Sequence, residues 1–357
     1  MVMFRHYGAL LDARSLPLHI MRTVSMFGWT GVDLFFVLSG FLITGILLDS
    51  REAPNYFSAF YARRVLRIFP VYYFSLLVMY FLVMPHFAEA RTGESTLKTF
   101  GYIFYLQNWF MPVGFMAHYW SLAVEEQFYL MWPMVVFLFP RHRILPIALG
   151  VSVGSTVLRL TLLAMNAPLR DITENTFTRL DALLIGAACA CLVRDTAWMD
   201  RLKPHAKWMW LAPALVLPFL DILSPHNRAK EPVVAGIGLT LIDLSFAALL
   251  LSLVLTQGQR SVLQGFFINR LMRAIGKYSY AAYIWHILVM NMVEAFEEKV
   301  LHVAPPLWVN ILIWIAATFL VCMVSYALIE RPFLNLKRYF EPRLAGVPAA
   351  ETQSVTA

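Results

Sequence analysis

Ionisable side chains interrupt the apolar stretches of this sequence at Arg5, His6, Asp33, Glu125, Glu126, Arg159, Arg179, Asp181, Asp243 and His286. Such groups are costly inside a bilayer, so each is a functional candidate. His6 is a candidate general base: an imidazole takes a proton from a hydroxyl near neutral pH once an acidic neighbour fixes its tautomer. Helical rise places His6, Asp33 and the pair Glu125 and Glu126 at one depth, roughly 8 Å below one membrane face, with Asp33 the expected partner of His6. The competing reading is that His6 and Asp33 only satisfy each other as buried polar groups. Glu125 and Glu126, in WSLAVEEQFY, need a cation or a wet cavity, and Arg159 and Arg179 are available; a structural ion pair is the alternative. Arg179 and Asp181 sit nearer the same face. Asp243 is placed to pair with His286 or Arg159. His286, in SYAAYIWHILV, either lines a passage or is a hydrogen-bonded core histidine.

A second group is basic. Arg63, Arg67 and Arg64 fall at about 0°, 40° and 100° around a helix, so one face presents three guanidinium forks suited to phosphate. Glu330, where the helix stops before Arg331 and Pro332, is expected beside them. Anchoring among anionic headgroups is the plainer alternative for the arginines. Both levels together suggest a phosphate-bearing donor held at one face, with a long reactive arm threaded toward a base near the other.

These residues must be positioned by membrane helices. Of 357 residues, 59% are hydrophobic and 14% charged, against about 25% charged in a soluble domain. The fold expected is an all-α polytopic membrane protein of about ten transmembrane helices, at 1–11 (the first, truncated), 28–48, 68–84, 120–139, 144–166, 178–193, 208–223, 233–256, 275–296 and 306–330. A short re-entrant segment is expected near 98–113, because basic residues then divide 18 to 8 between the two sides, with three inside spans, of the 29 in the chain. That asymmetry puts 49–67 and the C-terminus in the cytoplasm. Residues 1–340 form one membrane domain, and 341–357 read as a disordered cytoplasmic tail. The net charge of +7 follows from this topology, which removes any need for a nucleic-acid partner. Cys189, Cys191 and Cys322 lie in apolar spans without a metal-ligand cluster or a plausible disulfide, so no metal site is expected. No cleavable signal peptide is visible.

The ordered pieces FRHYG, GVDLFFVLSGFLIT, FYARRVLRIFPVYY, HYWSLAVEEQFYLMWP, RLDALLIGA, IGKYSYAAYIWHI and LIERPF resemble acyltransferase family 3, the multi-pass membrane enzymes that O-acylate bacterial surface glycans. The resemblance runs from residue 1 to about 340. It implies the bacterial cytoplasmic membrane, acyl-CoA (commonly acetyl-CoA) as a donor substrate rather than a bound cofactor, and a carbohydrate acceptor beyond the bilayer. The family's first-helix histidine falls on His6, its RxxR pair on Arg64 and Arg67, its second-helix aspartate on Asp33 and its glutamate pair on Glu125 and Glu126. An arginine that the family carries upstream of its histidine would fall before Met1, so the chain is expected to begin part-way through its first helix. Some relatives carry a fused extracytoplasmic domain; here the acyl group is expected to reach the acceptor directly from the membrane domain or through a separate extracytoplasmic transfer partner. The rival readings are a proton-coupled transporter of a saccharide or lipid-linked saccharide, disfavoured by the lack of paired repeats, and an inactive scaffold.

Overall fold

The computed structural model describes residues 1–8, 25–87, 95–110, 113–223, 231–259, 261–302 and 305–343, and all regular structure among them is helical. Residues 9–11 of the first expected span, 111–112 of the re-entrant segment and 344–357 of the tail lie outside the described residues. The helices that position the polar groups are α1 (Val2–Gly8), α2 (Gly31–Asp49), α3 (Tyr56–Leu77), α4 (Thr96–Ile103) and α5 (Trp120–Leu138). They are followed by α6 (Arg141–Ala164), α7 (Thr176–Leu192), α8 (Leu211–Leu223), α9 (Leu239–Leu255), α10 (Arg270–Phe296) and α11 (Leu307–Ser325). Several start at residues that satisfy free N–H groups: Ser95 accepts from Lys98, Asn175 from Phe177 and Asn269 from Met272.

Among the described residues, six helical stretches are long and apolar enough to cross a membrane: Phe27–Asp49, Tyr56–Val83, Arg141–Ala164, Ala206–Leu223, Val234–Leu255 and Leu307–Phe340. A seventh is the pair Leu169–Leu192 and Thr196–Leu202, bent by 103°. This is fewer than the ten spans expected, and the difference has a chemical cause. Helix α5 breaks its apolar sequence with Glu125, Glu126 and Gln127, and α10 with Tyr278, Tyr280, Tyr283, His286 and Asn291. Helix α4 has 8 residues, about 12 Å of rise, and is too short to cross a hydrocarbon core of about 30 Å. Its continuation packs inward: Gln107 donates to the Tyr119 carbonyl at 2.8 Å, and Asn108 to Thr176 Oγ1 at 2.8 Å.

Polar and apolar surfaces are inverted relative to a water-soluble protein. Leu42, Phe81, Leu130, Leu215, Ile222, Leu312 and Leu320 are exposed, whereas Asp33, Glu125, Arg159, Arg179, Asp181, Asp243 and His286 are buried. With lipid outside, close packing and interior polar bonds hold the helices together. Parallel helices α2 and α7 show this best. A Cβ added at Gly40 would lie 1.8 Å from the Leu183 carbonyl oxygen, and one at Gly186 would lie 2.0 Å from that of Val37. Beyond the end of α7, Arg194 binds Asp49 at 2.5 Å. Gly40→Ala and Gly186→Ala are each expected to destabilise the protein by about 1–3 kcal/mol, because backbone must move where no side chain can yield. Thermal unfolding in detergent checks this, and an unchanged midpoint in both variants would count against the close crossing.

Candidate active site

The functional candidates gather into three groups. The first is a set of three histidines. Short helix α1 packs on α10 and α11, where the Tyr7 hydroxyl meets Thr318 Oγ1 at 3.0 Å and the His286 carbonyl at 3.3 Å. This seats the half-buried His6 ring 5.2 Å from the His286 ring, centroid to centroid. The ring of His118 also lies 4.9 Å from that of His286. His118 is held by the Gly114–Tyr119 turn, whose carbonyl at His118 accepts from Tyr283 Oη at 2.7 Å. The Tyr283 hydroxyl also pairs with Ser121 at 2.5 Å.

The second group joins the glutamates to the basic face. Glu125 Oε1 accepts from Ser39 Oγ at 2.6 Å and from the Tyr129 hydroxyl. The Arg64 guanidinium lies 5.2 Å from the centre of the Tyr129 ring and 5.7 Å from that of Phe60. Among the described residues, Arg63, Arg64 and Arg67 form no ion pair and no hydrogen bond. Arg67 is close enough to act electrostatically on both Glu125 and Glu330, and Lys337 feels all three arginines. Lys337 is carried by the turn Leu336–Phe340 after the last span, which packs on α3. That turn is tied down by Asn55 Nδ2 donating to the Glu341 carbonyl at 2.8 Å and Arg343 N donating to Asn55 Oδ1 at 2.9 Å. Glu330 ends a π-helical turn, Tyr326–Glu330, a local widening common at functional sites. Tyr280, Tyr283 and His286 recur every three residues along one side of α10. Tyr280 donates to the Ile68 carbonyl at 3.0 Å, beside Arg67, and is electrostatically close to Glu126 and Glu125. The stripe therefore runs from the arginine side to the histidines, about 9 Å of helix rise.

The third group is a buried charge network. Arg179 pairs with Asp33, and Arg159 donates to both Asp181 oxygens, at 2.8 and 2.6 Å. Thr240 adds a bond to Asp181 Oδ2 at 3.0 Å, and Arg159 Nε donates to the Gly236 carbonyl at 3.1 Å. Asp243 lies within electrostatic reach of Asp181, Asp33, Arg179 and Arg159, but neither of its oxygens has a hydrogen-bond partner among the described residues. Three carboxyl groups thus share two guanidinium groups.

This arrangement differs from the expectations at three points. Asp33 is the partner of Arg179, not of His6, and among the described residues no carboxylate bonds to the His6 ring. Arg159 and Arg179 serve Asp181 and Asp33 and not the glutamates. Asp243 joins that network within electrostatic reach of Arg159, the second of its two expected partners. Glu125 stands level with Ser39, the ninth residue of α2, and therefore deeper than Asp33. Depth counts along a helix assume that every helix starts at the same level, and α5 starts lower because the α4 segment precedes it. Sequence reasoning singles out neither His118, although it stands directly before the YWSL of its motif, nor Lys337. Among the described residues no group of three or more His, Cys, Asp or Glu side chains can hold a metal ion.

Comparison with known proteins agrees with the motif pattern. The family model described as an acyltransferase domain matches residues 1–330. Peptidoglycan O-acetyltransferase OatA of Listeria monocytogenes is 27% identical over 349 residues, 88% of this chain and 54% of that protein. The putative peptidoglycan O-acetyltransferase YrhL of Bacillus subtilis is 28% identical over 329 residues, 85% of this chain and 50% of its own length. A putative O-acetyltransferase of Staphylococcus aureus (strain COL) is 28% identical over 337 residues, 86% of this chain and 52% of its own. The chain thus spans about half the length of these curated relatives. No solved structure matches it significantly.

Proposed function

This chain belongs to the acyltransferase domain family, and on that premise we propose that it is a membrane O-acyltransferase. It moves an acyl group, acetyl in the first instance, from cytoplasmic acyl-CoA to a hydroxyl of a carbohydrate beyond the bilayer. Similarity to relatives named for peptidoglycan O-acetylation favours a peptidoglycan sugar among the possible acceptors. The division of basic residues favours about ten spans in the bacterial cytoplasmic membrane with the C-terminus inside. A separate extracytoplasmic protein would complete delivery where the acceptor is distant.

The observation that carries this reading is the row of unpaired cations at one end of the α10 polar stripe and the histidines at the other. Arg63, Arg64, Arg67 and Lys337 form no ion pair or hydrogen bond among the described residues, which suits them to the phosphates of a nucleotide donor. Glu330 beside Arg67 limits the spread of that positive field. Glu126, whose buried Oε1 has no partner, offers an acceptor for an amide N–H of the donor's arm. At the far end His6 takes the proton of the acceptor hydroxyl as its oxygen attacks the acyl carbonyl. The C–S bond of the thioester breaks, and the proton passes from His6 to the departing thiolate, giving the ester and free CoA. Glu125 and the Asp33, Arg159, Arg179 and Asp181 network hold the walls between the two ends.

The test is acetyl transfer from labelled acetyl-CoA to soluble glycan fragments by protein reconstituted in vesicles. Arg64→Gln and Arg67→Gln are each expected to raise the donor KM about 10- to 100-fold, the scale of one charge-assisted phosphate contact. Lys337→Gln raises it less, because a flexible ammonium makes one point contact where guanidinium makes two. A double arginine variant with unchanged donor affinity would move the donor site elsewhere.

A further inference from the structure

We propose that His286 is the positioning residue for His6, a neutral imidazole that takes the place an aspartate holds in other histidine-based acyl-transfer sites. The inference rests on the reading of His6 as the base. His286 Nδ1 lies 2.8 Å from the Tyr283 carbonyl and 3.1 Å from the Ala282 carbonyl of its own helix. Carbonyl oxygens only accept, so Nδ1 carries the hydrogen, and the neutral ring presents a lone pair at Nε2. That Nε2 is buried and has no partner among the described residues. An unmet buried acceptor costs about 1–3 kcal/mol, so an N–H is strongly favoured there.

Two rings are near enough to supply one. His6 is seated 5.2 Å from His286 by its neighbour Tyr7, whose hydroxyl bonds to the His286 carbonyl. His118 is 4.9 Å away, 7% exposed, with neither ring nitrogen bonded to a described residue. His6 has no carboxylate to set its tautomer, and small rotations of its ring bring an N–H toward His286 Nε2. Its other nitrogen is then a lone pair free for the acceptor hydroxyl. The edge-on His118 ring packs against His286 and restricts its rotation. A carboxylate in this position would place a charge in an apolar setting, whereas a neutral histidine orients the base without one.

The experiment compares His286→Gln, His286→Asn, His286→Phe and His6→Ala in reconstituted protein. Glutamine carries an acceptor oxygen near the place of Nε2; asparagine reaches only the place of Nδ1. The expected result is kcat within a few-fold of the parent for His286→Gln and lower by about 100-fold for His286→Asn and His286→Phe, with donor KM unchanged. Equal rates for glutamine and asparagine variants would overturn the inference, since a packing role does not distinguish them in this way. If His6→Ala is inactive while His286→Phe matches the parent, only the positioning role fails. If His6→Ala transfers normally, the base assignment itself fails.

Discussion

Replacement of His6 by alanine is expected to lower acyl transfer by about 10²- to 10⁴-fold, the range contributed by a positioned general base, while the protein still inserts and still binds donor. Helix α1 meets its neighbours mainly through Tyr7, which is buried between His286 and Thr318, and through the close approach of Met1 and Arg5 to Gly28. The half-buried His6 side chain contributes little to that seat, so its truncation leaves the helix in place. In the proposed site donor affinity is assigned to Arg64, Arg67 and Lys337, at the other end of the α10 stripe. A fall in kcat with constant donor KM is therefore the signature. Donor KM rising in step with the loss of rate would instead mean that His6 belongs to the donor site.

The second large effect is on stability and is unequal between two partners. Arg179→Leu is expected to cost about 3–5 kcal/mol, the usual penalty for breaking a buried ion pair. It leaves Asp33, Asp181 and Asp243 with Arg159 as their sole guanidinium. Asp33→Asn costs less, because Arg179 remains near Asp243 and Asp181 and the network becomes two carboxyl groups for two guanidinium groups. Adding Asp33→Leu to Arg179→Leu should recover part of the loss. Thermal unfolding and the yield of inserted protein measure all three variants. Should Asp33→Asn abolish transfer at full stability, Asp33 would return to the chemistry and its pairing with Arg179 would be secondary.

Much of the candidate site was legible because membranes make polar residues conspicuous. His6, the Glu125 and Glu126 pair, and the face of Arg63, Arg64 and Arg67 were each visible as departures from apolar sequence. What stayed hidden was partnership. Asp33 and His6 sit at similar counted depths, yet Asp33 faces α7, because Gly40 and Gly186 bring α2 and α7 into backbone contact and set Arg179 beside it. His118 was obscured by its place in a short turn before α5, where a histidine reads as interfacial. Lys337 was obscured because it follows the last expected span by several residues, and its place beside α3 comes from tertiary packing and the Asn55 contacts.

The sequence by itself determined the class of molecule: hydropathy demanded helices in lipid, and helical periodicity put three guanidinium groups on one face. It also determined which side chains must be neutralised or used. Tertiary structure decided how they are matched, dividing one expected polar pocket into a histidine trio, a glutamate–arginine face and a separate Asp–Arg network. The physical reason is that residue spacing records position along a helix and angle around it, but not where each helix begins or which neighbour it faces. In a low-dielectric interior the choice of ion-pair partner depends on contacts within a few ångströms, and those exist only once the helices have packed.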